Sequence, residues 1–129
     1  MTDLARRAHV AAAWLFAAGV LVQGYLAGAA MGQLGGSGDF STHQAVGYTL
    51  GIVGLAVLLL AVIGRFTRSQ IGGSGLLLIL YVVQTSLPFL RADTPAIAAL
   101  HPVNAMVLLV LAIIIAVRGR RFMRAATSI

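Results

Sequence analysis

Four long stretches of this chain carry no charged side chain, and each is dominated by apolar residues. The first, Val10 to Ala30, is 21 residues, about 31 Å of helix at 1.5 Å per residue, enough to cross the hydrocarbon of a bilayer. Helices are expected over about 9–31, 43–64, 74–90 and 96–118, in one transmembrane domain over residues 1–129. The fold class that follows is all-α: an antiparallel four-helix transmembrane bundle with short connections. A chain 60% hydrophobic and 9% charged fits a membrane domain and no ordinary globular one. Because the N-terminal run is longer than a usual signal-peptide core and contains Gln23, it reads as a span rather than a cleaved leader.

Charge sets orientation. Nine Arg stand against Asp3, Asp39 and Asp93, giving a net charge of +6. The arginines lie just beyond the apolar runs, not in a patch with interleaved aromatics, so they argue for lipid headgroups and against nucleic acid. Arg6, Arg7, Arg65, Arg68, Arg118, Arg120, Arg121 and Arg124 fall on one side and Arg91 alone on the other. The positive-inside rule then puts both termini in the cytoplasm and the chain, as a multi-pass protein, in a bacterial cytoplasmic membrane. Cysteine is absent, which excludes disulfides, thiolate metal sites and thiol nucleophiles.

The connections are written in glycine, proline and capping residues. Residues 32–42 form a glycine-rich loop expected to end in a helix N-cap at Ser41 or Thr42, and it lacks the lysine and spacing of a P-loop. Arg65, Arg68 and a Gln70-Ile71-Gly72-Gly73-Ser74 turn are expected to close the second helix. Thr94 is a candidate N-cap with Pro95 at the first helical position, and Pro102 implies a short helix at 95–99 or a kink.

A faint repeat links the halves. Val22-Gln23-Gly24-Tyr25-Leu26 can be laid on Val83-Gln84-Thr85-Ser86-Leu87, and a histidine, His43 or His101, heads the next apolar run 20 or 17 residues after the glutamine. Two pseudo-repeated helical hairpins are the simple interpretation, with a site at their interface. An ionisable residue at the head of a span is a functional-site hypothesis by default. In an up-and-down bundle the second and fourth helices are diagonal, about 12–14 Å apart given neighbouring axes at about 8–10 Å. That span suits an iron porphyrin held by one imidazole on each face, so His43 and His101 are expected to ligate haem b.

Gly47 and Gly51 behind His43, and Ala105 behind His101, would form a smooth wall for the macrocycle; close helix packing through small residues is the competing interpretation. Gln23 and Gln84 must find partners when buried, more simply across helices than on a ligand. Arg91 could meet a haem propionate, Asp93 or a lipid phosphate. His9, beside Arg6 and Arg7, is read as a headgroup contact. A zinc site would have only His43, His101 and Asp39 to draw on, and no acid or base lies within a span to serve a proton-coupled transporter.

With these residues in view, the chain resembles one four-helix half of the haem A synthase family, whose second and fourth helices each bring a histidine at the outer side. The likeness is carried by His43, His101, the small residues after them and the Gln23–Gly28 segment. It also resembles small bacterial four-helix membrane proteins with Gly-Asp-Phe-x-x-His and His-Pro-x-Asn-Ala, here Gly38 to His43 and His101 to Ala105. The resemblance implies haem binding, electron transfer or haem carriage or sensing, a redox partner or respiratory complex, and a homodimer that would rebuild an eight-helix form. It departs at Phe40, where the synthase has a glutamate tied to its chemistry, so haem binding is better supported than haem or quinone modification. A non-catalytic structural subunit of a membrane complex is the alternative from another class.

Overall fold

The computed structural model describes residues 1–126; residues 127–129, the end of the expected domain, lie outside that range. Its elements are α1 (Thr2–Ala30), α2 (Ser41–Ile63), α3 (Arg68–Ser86), the single turn α4 (Pro95–Ala98) and α5 (Leu100–Ala126), with 3-10 turns at Gly32–Leu34 and Leu87–Arg91. Four segments are long and apolar enough to cross a membrane: Thr2–Ala30, Ser41–Ile63, Arg68–Arg91 and Pro95–Ala125. The protein is a four-helix membrane bundle. A helix keeps its backbone hydrogen bonds within itself, which is what a bilayer interior requires.

α1 packs against α2 and α5, and α3 against the same two, so α2 and α5 are diagonal, as are α1 and α3. The core is a column of Ala13, Phe16, Ala17, Leu50, Val57, Leu77, Leu108, Ala112, Ile115 and Ala116. Most of it lies in the half of the bundle nearer Arg65. Ile52, Ile79 and Val110, on three different helices, point outward and are exposed, the apolar exterior of a span.

Helix boundaries differ from the expected ones in four places. α1 begins at Thr2 and α5 continues to Ala126, so the polar N-terminus and the basic tail are helical rather than flanking coil. The expected turn at 70–74 is helix, and the reversal falls at 64–67. There Phe66 N–H donates to Ala61 O (3.1 Å) and Arg65 N–H to Val62 O (3.0 Å), the paired bonds that close a helix around a left-handed residue. Arg65 itself takes that conformation, at φ 51°. Thr67 then caps α3 by accepting from Gln70 N–H. Gly72 and Gly73 each cost only about 1 kcal/mol in a helix interior, too little to break one that starts from a good cap.

The N-cap of α2 also moves. It falls at Phe40, not Ser41 or Thr42, and Phe40 offers no side-chain cap; Asp39 just before it accepts from Ser41 N–H at Oδ1 (2.8 Å) and from the Ser41 hydroxyl at Oδ2 (3.0 Å). Thr94 precedes Pro95 as expected but makes no side-chain cap, its hydroxyl donating back to Leu90 O at 3.4 Å. The Pro102 region resolves into the short helix, α4, followed by a fresh start at Leu100.

Candidate functional site

At the end of the bundle nearer His43 and His101, the four helices part around a cavity of about 770 Å³. Phe16, Leu50 and Leu108 floor it, and His43, Gln23, Gln84, His101, Tyr81 and Arg91 are among its walls. A volume of that order, apolar with a few convergent polar groups, is what a cofactor or small-molecule site offers.

Each hairpin builds its side of the cavity with the same bond. In the first, the His43 imidazole Nδ1 donates to the backbone carbonyl of Gln23 (3.2 Å), while the Gln23 amide donates to His43 O (2.9 Å). In the second, His101 Nδ1 donates to the backbone carbonyl of Gln84 (3.0 Å). A carbonyl can only accept, so both Nδ1 atoms carry a proton, and in the neutral ring Nε2 then carries the lone pair. The repeat seen faintly in sequence is thus a repeat of hydrogen bonding.

The hairpins differ at Nε2. Asn104 Nδ2 donates to Leu80 O (2.9 Å) and to Gln84 Oε1 (2.8 Å), which turns the Gln84 amide nitrogen to His101 Nε2 at 3.1 Å. These assignments are mutually dependent: the Leu80 carbonyl fixes Asn104, Asn104 fixes Gln84, and Gln84 finds His101 as acceptor. His43 Nε2 has no such partner among the described residues. Three residues after His43 stands Val46, where three after His101 stands Asn104.

The two imidazoles lie with centroids 6.3 Å apart and planes at 61°. Two rings aiming Nε2 at one metal atom, with metal–nitrogen bonds of about 2 Å, have centroids about 6 Å apart. A histidine ligand ordinarily donates its other ring N–H to a carbonyl or carboxylate, as both do here. The centroid spacing is that of two imidazoles sharing one metal; His43 Nε2 is open, and His101 Nε2 is engaged by Gln84. Among the described residues no three His, Asp or Glu side chains gather as a metal cluster, so Asp39 does not complete a zinc site with the histidines.

The other expected site residues divide. Gly47, Ala105, Gln23, Gln84 and Arg91 line the cavity. Gly51 does not: a Cβ there would lie 2.7 Å from the Tyr81 hydroxyl, so the wall at that level is the tyrosine ring. Tyr81 O–H donates to Gly47 O at 3.1 Å, crossing from α3 to α2 over the space the glycines leave. Tyr81 was not among the expected residues; its position one helical turn before Gln84 was the available signal. Arg91 is exposed at the cavity and forms no ion pair with Asp93 among the described residues, where the sole salt bridge is Arg6–Asp3 at 3.4 Å.

His9 overturns its expected role as a headgroup contact. It is fully buried, with Nδ1 donating to Val57 O (2.9 Å) and Nε2 accepting from Gln70 Nε2 (3.0 Å). The second Gln70 N–H donates to Ile115 O at 2.7 Å. Four helices meet at this node, and Phe66 lies against the imidazole at 4.6 Å between centroids. Arg6 takes the surface position instead, reaching Gly64 O (2.9 Å) and sitting 5.1 Å over the Phe122 ring. The pairing partner, Gln70, lay in the segment expected to be a turn, which is why the node was invisible.

A sequence model of a family of unknown function (DUF6220) matches residues 23–89, just over half of the chain, and the protein belongs to that family. The matched segment holds Gln23, His43 and Gln84 and ends before His101. No curated protein and no solved structure matches the chain.

Proposed function

We propose that this membrane protein binds one b-type haem between His43 and His101 and uses it for electron transfer or for carrying or sensing haem. The observation that carries the proposal is the matched pair of imidazoles: each has Nδ1–H spent on a backbone carbonyl, and the rings stand 6.3 Å apart at the head of one cavity. The His43 lone pair is open and the His101 lone pair is held by the Gln84 amide, with no free ring N–H on either; such a pair suits an electron-pair acceptor, which a metal ion supplies and an oxidised quinone does not. His43 and His101 would hold the iron, with Gly47, Ala105 and Arg91 lining the space around it. The group would supply one-electron chemistry at that position.

The resemblance to one half of the haem A synthase family points the same way, and the absence of an acid at Phe40 favours binding over haem modification. Eight of nine arginines at the Arg65 end support a bacterial cytoplasmic membrane with both termini inside. The chain has no cysteine, so single introduced cysteines at Gly35 and Arg120 would report that orientation by labelling intact cells.

The test is a reduced-minus-oxidised visible spectrum of the detergent-purified protein expressed with ample haem. One low-spin b-type haem per chain, altered by both His43→Ala and His101→Ala, is the expected result. A colourless, folded protein, or colour indifferent to both substitutions, rejects the proposal and favours a structural membrane subunit.

A further inference from the structure

The two histidines are not equivalent. We propose that His43 is the fixed ligand and His101 a displaceable one, because the Gln84–Asn104 pair competes with iron for the His101 Nε2 lone pair. The site then also accepts a small neutral diatomic molecule on its His101 side. This rests on the haem assignment above and adds to it a second ligand and a residue pair that governs it.

The asymmetry has a definite origin. Both histidines have the same backbone anchor, so both rings are aimed alike. In the first hairpin the Gln23 amide is spent on the His43 backbone carbonyl (2.9 Å) and leaves the ring alone. In the second, Asn104 grips Gln84 Oε1 at 2.8 Å and presents the amide nitrogen to His101 Nε2 at 3.1 Å. Val46 in the position corresponding to Asn104 cannot make such a grip. To hold an iron, His101 would have to give up its Gln84 bond, whereas His43 would give up nothing. The hydrogen bond lost on the His101 side weakens that ligand relative to the other. Gln84 and Thr85 both line the cavity beside His101, so a diatomic molecule that displaces the imidazole enters a polar neighbourhood.

Two measurements test it. In haem-free protein labelled with 15N-histidine, Gln84→Leu should move the His101 Nε2 resonance and leave that of His43 in place. In the dithionite-reduced, haem-loaded protein, carbon monoxide should bind by displacing His101. Gln84→Leu and Asn104→Val should each weaken that binding by about tenfold, the shift that one net hydrogen bond supports. Both variants keep the carbonyl that anchors His101. His43→Ala should lose haem more readily than His101→Ala.

Haem-loaded protein that ignores carbon monoxide, or that binds it equally in the wild type and both variants, overturns this proposal while leaving the haem assignment standing. An unmoved His101 resonance overturns it without reference to haem. Protein that takes up no haem overturns both.

Discussion

Gln70→Leu is the most demanding test of how this bundle is held. The substitution puts an apolar side chain of similar size in place of the amide and removes two donors from a buried node. His9 Nε2 loses its Gln70 donor, and Ile115 O loses a bond of 2.7 Å. An orphaned buried group costs about 1–3 kcal/mol, whereas hydrogen bonds between membrane helices average about 0.6 kcal/mol and reach about 1.7. The Ile115 carbonyl loses only a second donor, because it also accepts within its own helix, so most of the cost falls on His9. We expect Gln70→Leu to destabilise the bundle by about 1–3 kcal/mol in reversible unfolding from mixed micelles. His9→Leu alone should cost a similar amount, since it strands a Gln70 N–H and removes the ring against Phe66. The double variant should be less harmful than the sum, with a coupling of about 1 kcal/mol, because replacing both partners leaves neither orphaned. If the two effects add within about 0.3 kcal/mol, or if His9→Leu is neutral, His9 is a headgroup residue after all and the node does not exist.

Other perturbations test the remaining devices. Gly51→Ala places a Cβ 2.7 Å from the Tyr81 hydroxyl, so it should cost about 1–3 kcal/mol in thermal stability; Tyr81→Leu in the same chain should recover part of that loss. Arg65 occupies a left-handed conformation at φ 51°; Arg65→Gly should therefore stabilise the α2–α3 turn by about 0.5–1 kcal/mol, read in the same unfolding assay. The Asp39 carboxyl is held below its ordinary range, first by the Ser41 backbone N–H and then by the Ser41 hydroxyl. A depressed carboxylate contributes stability that is present above its unfolded value of about 4 and is lost as pH falls through the lower folded value. Acid should thus fray the start of α2, visible in the Ser41 amide resonance, and Asp39→Asn should remove that pH dependence.

What the sequence disclosed about this fold followed the strength of the constraint behind each element. Spans were legible because the bilayer demands long uncharged runs, and the diagonal placement of α2 and α5 follows from short connections in an up-and-down bundle. The turn at 64–67 was misplaced because Gly72, Gly73 and Ser74 look like punctuation, whereas the decisive features are the Thr67 cap and a non-glycine residue in the left-handed region. That misplacement hid Gln70, and with Gln70 hidden His9 had no partner to be assigned. Histidine pairing across a bundle depends on register, which the charge pattern does not encode.

The site shows the same division. His43 and His101 were visible because a polar group at the head of a span is rare, and Gln23 and Gln84 because amides in lipid must bond to something. Neither consideration reveals that both glutamines offer a backbone carbonyl to a ring nitrogen. That bond depends on backbone register between neighbouring helices and fixes the tautomer. The glycine row was judged from helical spacing alone, which puts Gly47 and Gly51 on one face but cannot say that Tyr81 reaches across from α3 to cover the second of them. Asn104 is the sharper case. Its distinction from Val46 is plain in sequence, yet becomes chemistry only when Leu80 O turns its amide toward Gln84. Helix packing supplies that orientation, and from it the inequivalence of two otherwise similar histidines follows.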